Sequence, residues 1–182
     1  RTAFGSMISE QFFVPAPYGE PNETNPQVQN CLDKLEATFK KHNKEIAGFI
    51  VEPIMQGYGG MQTYSAEYLN KARELCDTYE VLFIFDEVAT GFGRTGKTFA
   101  VEHTDVLPDI AILGKALSGG YLGISATLAN EKVEKAFWSD NPNHALMHGP
   151  TFMGNALACA VSLESLKVYE DENRLEDALR IE

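Results

Sequence analysis

Apolar positions along the 182-residue chain follow two patterns. Some recur every three or four residues, as one face of a helix does. Others form short unbroken runs, as strands buried on both faces do. Helical spacing is read over residues 27–44, with Leu32, Leu35 and Phe39 on one face. It returns after Ser65, a residue type suited to cap a helix, with Glu67 well placed in the first turn. The buried face of that helix is read as Leu69, Ala72, Leu75, Cys76 and Tyr79. A further helix, rich in Ala and Leu, is read over Asn155–Tyr169, and residues 174–182 form an amphipathic stretch. The unbroken runs are Ile46–Val51, Val81–Phe85, Ile110–Leu113 and Ile124–Ala129, the last leading to a short helix near Asn130. Residues 1–26 read as irregular, with Pro15, Pro17, Pro21 and Pro26 as breakers, and Gly57, Gly59 and Gly60 as a flexible loop. Strands alternating with helices predict an α/β fold, a mostly parallel sheet covered by helices on both faces.

Composition narrows the function classes. A net charge of −11 is read as a solvated acidic surface and argues against the basic footprint of a nucleic-acid binder. No apolar run approaches the ~20 residues of a membrane-spanning helix. Cys31, Cys76 and Cys159 are far apart without a C-x-x-C pair, so no zinc site or disulfide framework is expected. His103, His144 and His148 lack metal-ligand spacing, and no metal is expected. Reduced thiols fit a cytoplasmic location, and equally an organelle matrix. The chain opens on Arg1 and stops inside the last amphipathic stretch, so an excerpt of a longer protein is expected.

In open α/β sheets ligands gather at the carboxyl ends of strands. Three such ends carry Glu52, Asp86 and Lys115. A lysine directly after a buried strand, between Gly114 and an Ala-Leu-Ser-Gly-Gly turn, is expected to be partly desolvated and ready to attack an aldehyde. A buried Asp86 would suit a protonated ring nitrogen. Val88, two residues on, would share its side of an extended chain and press on a ring face. Thr151, ahead of the helix near Asn155, offers a hydroxyl where an anion is favoured. Taken singly, each has an ordinary reading: Asp86 opens a loop, Lys115 is solvated, Thr151 caps the helix.

A competing motif is present. Gly91–Thr98 reads Gly-Phe-Gly-Arg-Thr-Gly-Lys-Thr and satisfies the Walker A pattern of a P-loop NTPase. Its context counts against it, because Asp86–Thr90 intervene between strand and loop and the stretch before Pro108 is short for the required helix. A third reading is a non-catalytic binding or scaffold fragment, for which Lys115 would be dispensable.

Four ordered motifs carry a resemblance across nearly the whole chain. They are Phe49-Ile-Val-Glu-Pro53 with Gln56-Gly57, Phe85-Asp-Glu-Val-Ala-Thr-Gly-Phe-Gly-Arg-Thr-Gly96, Pro108-Asp-Ile-Ala-Ile-Leu-Gly-Lys-Ala-Leu117, and Gly154-Asn-Ala-Leu-Ala-Cys159. Together they resemble the class III, fold type I aminotransferases that use pyridoxal 5'-phosphate (PLP). Within that class Met147-His-Gly-Pro-Thr-Phe-Met-Gly154 and Leu117–Leu128 resemble the biotin-pathway branch. The resemblance implies that Lys115 carries the Schiff base, that Asp86 meets the pyridine nitrogen with Val88 on the ring, and that Gly149 lies near substrate. It implies that Pro150 and Thr151 reach the PLP phosphate of a partner subunit, so the active unit is a homodimer. Glu52 and Arg94 match motif positions without an assigned role. Ala156 replaces a more usual proline where a helix opens and either residue is accepted. The implied reaction moves an amino group from S-adenosylmethionine to 8-amino-7-oxononanoate in two half-reactions, giving 7,8-diaminononanoate. Ornithine, acetylornithine or aminobutyrate chemistry of the same class is the alternative. Residues 1–182 would be part of the PLP-binding large domain, without the family's N-terminal segment and C-terminal small domain, and the fragment alone would be inactive.

Overall fold

A computed structural model describes residues 10–19 and 26–181. Most of the irregular N-terminal stretch, including Pro21, lies outside the described residues. Pro26 does not break a helix but opens one. It is the first residue of α1 (Pro26–His42), where its missing N–H costs nothing and its fixed φ suits the first turn. The helix ends with Lys40, Lys41 and His42 against the negative end of its dipole. The N–H of Ile46 is taken by the His42 carbonyl at 3.1 Å. Strand β1 therefore begins at Gly48 and runs to Val51, two residues later than the apolar run suggests.

A small hairpin follows, β2 (Met55–Gln56) with β3 (Gln62–Thr63). Helix α2 (Ala66–Thr78) is capped by Ser65, whose hydroxyl accepts the Glu67 N–H at 3.2 Å. Val81 closes this helix through a bond to the Cys76 carbonyl, so β4 spans Leu82–Asp86. Strand β5 (Ile110–Leu113) and β6 (Ala126–Ala129) complete the sheet, then α3 (Glu131–Lys135), capped by Asn130. Helix α4 (Ala156–Asp171) is capped by the Asn155 side chain and opens on Ala156, and α5 (Arg174–Ile181) follows.

The sheet order is β1-β4-β5-β6, with β1, β4 and β5 parallel and β6 antiparallel at one edge. One face packs on α1 and α2. Its core is Leu32, Leu35 and Phe39 of α1, Leu69, Ala72 and Cys76 of α2, and Phe83 and Phe85 of β4. The Phe83 ring stacks on Phe49 and meets Phe85 edge-on at 4.8 Å. The opposite face is less covered by the described residues: Ile50, which alternates with the core residues Phe49 and Val51 along β1, is exposed. Helix α4 packs on the turn after β5, where Ser165 Oγ donates to the Ala116 carbonyl at 3.3 Å. Its Leu157 and Leu163 point outward, so the expected packed helix buries only Ala158 and Ser162.

Candidate active site

Because β1, β4 and β5 run the same way, their carboxyl ends share one edge of the sheet. Glu52 directly follows β1, Asp86 ends β4, and Gly114-Lys115 follows β5. Pairing of Asp86 with Ile112 sets Lys115 three residues beyond the level of that carboxylate on the neighbouring strand.

Glu52 is buried and turned to its own loop. Its carboxylate accepts the Tyr58 N–H at 3.4 Å, and its backbone carbonyl accepts the Tyr64 hydroxyl at 2.5 Å. A Cβ at Gly57 would lie 3.1 Å from Glu52 Oε1, so the small residue lets the loop sit on the carboxylate.

Asp86 is half-buried, not buried as expected. The chain after it turns instead of staying extended, and Asp86 Oδ1 accepts the Val88 N–H at 3.1 Å. This local bond from an Asp side chain to a backbone N–H two residues on is a common turn device. Val88 thus owes its position to a turn rather than to strand alternation. It packs on Gly114, where a Cβ would lie 3.4 Å from Val88 Cγ1.

Lys115 opens a single 3-10 turn, Lys115–Ser118, closed by the Leu117 N–H on the Gly114 carbonyl. Its φ is +48°, a left-handed conformation that costs a non-glycine residue about 1–3 kcal/mol and tends to persist at functional sites. The side chain is exposed, so the expected desolvation is not supplied by the described residues. Its Nζ lies over the ring of Tyr58, 5.7 Å from the centroid. No ion pair involves Asp86 or Lys115 among the described residues. The edge therefore presents one cation and one anion unspent on each other, with Val88 beside them.

The loop after Val88 is the Walker-like segment. It closes on itself: the N–H groups of Phe92 and Gly93 both bond to the Thr98 carbonyl, at 2.6 and 3.3 Å. It leads to a four-residue 3-10 turn, Ala100–His103, not to a helix. A P-loop delivers its N–H groups at the N-terminus of a helix, and no such helix follows this loop among the described residues. Arg94 and Lys97 are exposed on this loop.

Gly149, Pro150 and Thr151 lie in an exposed stretch, where the Pro150 carbonyl takes the Met153 N–H at 2.9 Å. Asn155 caps α4, accepting the Ala158 N–H at 3.0 Å, so Thr151 is not the cap. No hydrogen bond or ion pair joins residues 149–151 to Asp86, Val88 or Lys115 within the described residues.

Two residues escaped the sequence reading. Tyr58 was hidden in an apparently featureless Gly-rich loop. Glu87 looked like a loop start beside Asp86, yet it is only 2% exposed. Its carboxylate accepts the Thr90 hydroxyl at 2.6 Å and the N–H groups of Ala100 and Val101 at 3.0 and 2.9 Å. The signal available for Glu87 was the cost of burying a carboxylate without donors, which marks a hub if burial is known. Burial of the first residue past a strand is not legible from pattern.

A mostly parallel sheet with helices packed on it is the fold of an aminotransferase, and the chain belongs to that family: residues 1–182 match the profile described as Aminotransferase class-III. Among particular proteins, adenosylmethionine-8-amino-7-oxononanoate aminotransferase of Anoxybacillus flavithermus is 43% identical over 180 residues, 97% of this chain and 40% of that protein. The enzyme of the same name from Buchnera aphidicola subsp. Acyrthosiphon pisum is 46% identical over 181 residues, 98% of this chain and 41% of that protein. A Bacillus anthracis aminotransferase structure superposes with a TM-score of 0.79 at 34% identity, covering 90% of this chain and 37% of that one. An ornithine aminotransferase from Toxoplasma gondii, described with partial occupancy of PLP at its active site, gives 0.68 at 42% identity, over 79% of this chain and 32% of that one. The chain spans about two fifths of the length of these curated relatives.

Proposed function

We propose that this chain is the central part of the PLP-binding large domain of a full-length class III aminotransferase. Its reaction is amino transfer from S-adenosylmethionine to 8-amino-7-oxononanoate, giving 7,8-diaminononanoate for biotin synthesis. The observation that carries the reading is the strand-end set: a Lys115 amine and, on the adjacent strand, an Asp86 carboxylate, neither in an ion pair among the described residues, with Val88 packed against Gly114. That set fits PLP, an aromatic aldehyde with a basic ring nitrogen. The bound cofactor would supply an electron sink that stabilises the carbanion made when the donor loses its α-proton. Lys115 would hold the cofactor through its amine, and that amine would take and return the donor's proton. Asp86 keeps the ring nitrogen protonated, its Oδ1 already oriented by the Val88 N–H. Val88 and the closely packed Gly114 wall the ring on one side. Gly149 borders the substrate.

Pro150 and Thr151 contact the cofactor phosphate of a partner subunit, which makes the active unit a homodimer. Their exposure, and the absence of any bond from them to the strand ends among the described residues, support that reading. Arg94, exposed on the Gly91–Thr98 loop and without an ion pair among the described residues, is assigned to the site without a role. The location is cytoplasmic, in keeping with three free cysteines.

The test uses the full-length protein. It should bind PLP with a visible absorbance band that is lost in Lys115→Ala. A band retained in that variant would refute the assignment of the lysine. Mixing the loaded enzyme with single donors then identifies the branch. S-adenosylmethionine should bleach the band. Rapid bleaching by ornithine or 4-aminobutyrate, with none by S-adenosylmethionine, would leave the class standing and reject the biotin-pathway reaction.

A further inference from the structure

Tyr58 stands out among residues without a part in that chemistry. Its side chain is 89% exposed, although an aromatic ring of that size is normally at least partly buried. Its backbone is not free: the buried Glu52 carboxylate holds the Tyr58 N–H at 3.4 Å, and the Gly60 N–H bonds back to the Gly57 carbonyl at 3.3 Å. The held loop offers the ring to one group, the Lys115 amine, 5.7 Å from its centroid and within the ~6 Å range of a cation–π contact. Lys115 is itself fixed by its left-handed backbone and 3-10 turn, with φ +48°. Both partners are set by their backbones and meet through side chains.

We propose that Tyr58 is a positioning residue for Lys115: its ring face holds the lysine ammonium whenever the amine is free of the cofactor, and Glu52 fixes the loop that presents the ring. This rests on Lys115 being the cofactor-bearing amine. In an amino-transfer cycle that amine is released when the donor's nitrogen takes its place, and it must return to the same carbon at the end. A ring beside the strand end restrains the freed side chain without neutralising it, as a carboxylate partner would do more strongly. The role also accounts for Glu52, whose carboxylate faces the loop and not the amine.

The experiment reads the free amine directly. Full-length protein is stripped of cofactor, and the rate at which an amine-reactive reagent labels Lys115 is followed by peptide mass spectrometry. Tyr58→Phe keeps the π face and should label at the parent rate. Tyr58→Leu removes it and should label about two- to fivefold faster, the change expected for loss of one exposed cation–π contact. Near-ultraviolet circular dichroism on each variant confirms that the fold is retained. Equal labelling in all three proteins would overturn the proposal, as would acceleration in Tyr58→Phe equal to that in Tyr58→Leu. A second readout is the rate at which the visible band returns when PLP is added, which should change in Tyr58→Leu and not in Tyr58→Phe. Failure of the underlying reading looks different: the parent protein would then show no Lys115-dependent band at all.

Discussion

At the scale of single residues, the proposed chemistry rests on side chains whose neighbours are backbone atoms. The Val88 N–H aims Asp86, the Gly114 carbonyl closes the turn that begins at Lys115, and Val88 fills the space a glycine leaves. Thr151 differs, because it is exposed and makes no bond that fixes its hydroxyl among the described residues. If it donates to a cofactor phosphate across a dimer, Thr151→Ala removes a hydrogen bond to a charged group worth about 1.5–3 kcal/mol. PLP titration of the full-length dimer should show the corresponding loss of affinity, with the preferred amino donor unchanged. An affinity equal to the parent's would remove Thr151 from the phosphate site. Lys115 and Asp86 were legible in the sequence because each ends an apolar run, and run ends map onto strand ends. The desolvation expected of Lys115 is not met among the described residues, since it depends on what covers the edge and not on the strand that leads to it. Tyr58 was not legible either, because a contact across the gap from residue 58 to residue 115 leaves no local pattern.

At the scale of elements, apolar patterning located the large helices and strands of the described residues, and capping chemistry placed the start of α2 at Ser65; the caps of α3 and α4, Asn130 and Asn155, were not read as caps from the sequence. The errors were at junctions where one element borrows a backbone group from another. Ile46 and Val81 are apolar and sit next to strands, but their N–H groups finish the preceding helices. The long loop from Glu87 to Val101 shows the same principle in reverse. Its glycines suggested a phosphate cradle, whereas a single buried carboxylate ties its two ends together. Glu87→Ala would leave a hydroxyl and two N–H groups without their acceptor, each at about 1–3 kcal/mol where water cannot reach. The loop should then open. In the full-length protein, limited trypsin digestion should cut faster after Arg94 and Lys97, and PLP affinity should fall because Asp86 and Val88 share the loop's first turn. Cleavage and affinity both unchanged would mean that the carboxylate does not hold the loop.

At the scale of the whole molecule, the sheet is fastened at the end opposite the strand-end site. Asp109, at the start of β5, accepts the Phe83 N–H, the Arg73 guanidinium and the Asn130 side-chain amide, each at 2.8 Å. These bonds join α2, β4, β5 and the cap of α3 through one buried carboxylate, an arrangement that the sequence showed only as an acidic residue after Pro108. Burial alone pushes the Asp109 carboxyl up, but the Phe83 N–H, Arg73 and Asn130 outweigh it and hold the carboxyl below its ordinary 3.8. A carboxyl lowered in the folded state contributes stability that is present above the unfolded-state value and fades as pH falls through the folded-state value. Asp109→Asn removes the charge and sets an amide hydrogen against a donor. By analogy with breaking a buried ion pair, it should cost about 3 kcal/mol at neutral pH. Arg73 keeps Asp77 as a second partner at 2.6 Å, which limits the loss. Urea unfolding of parent and variant, followed from pH 7 downward, should show a gap that is constant to about pH 4 and narrows below it as the parent's carboxylate takes up its proton. A gap that stays the same to pH 3 would show that Asp109 acts through shape and not through charge. A gap near zero at pH 7 would remove it as the fastening between the helical layer and the sheet.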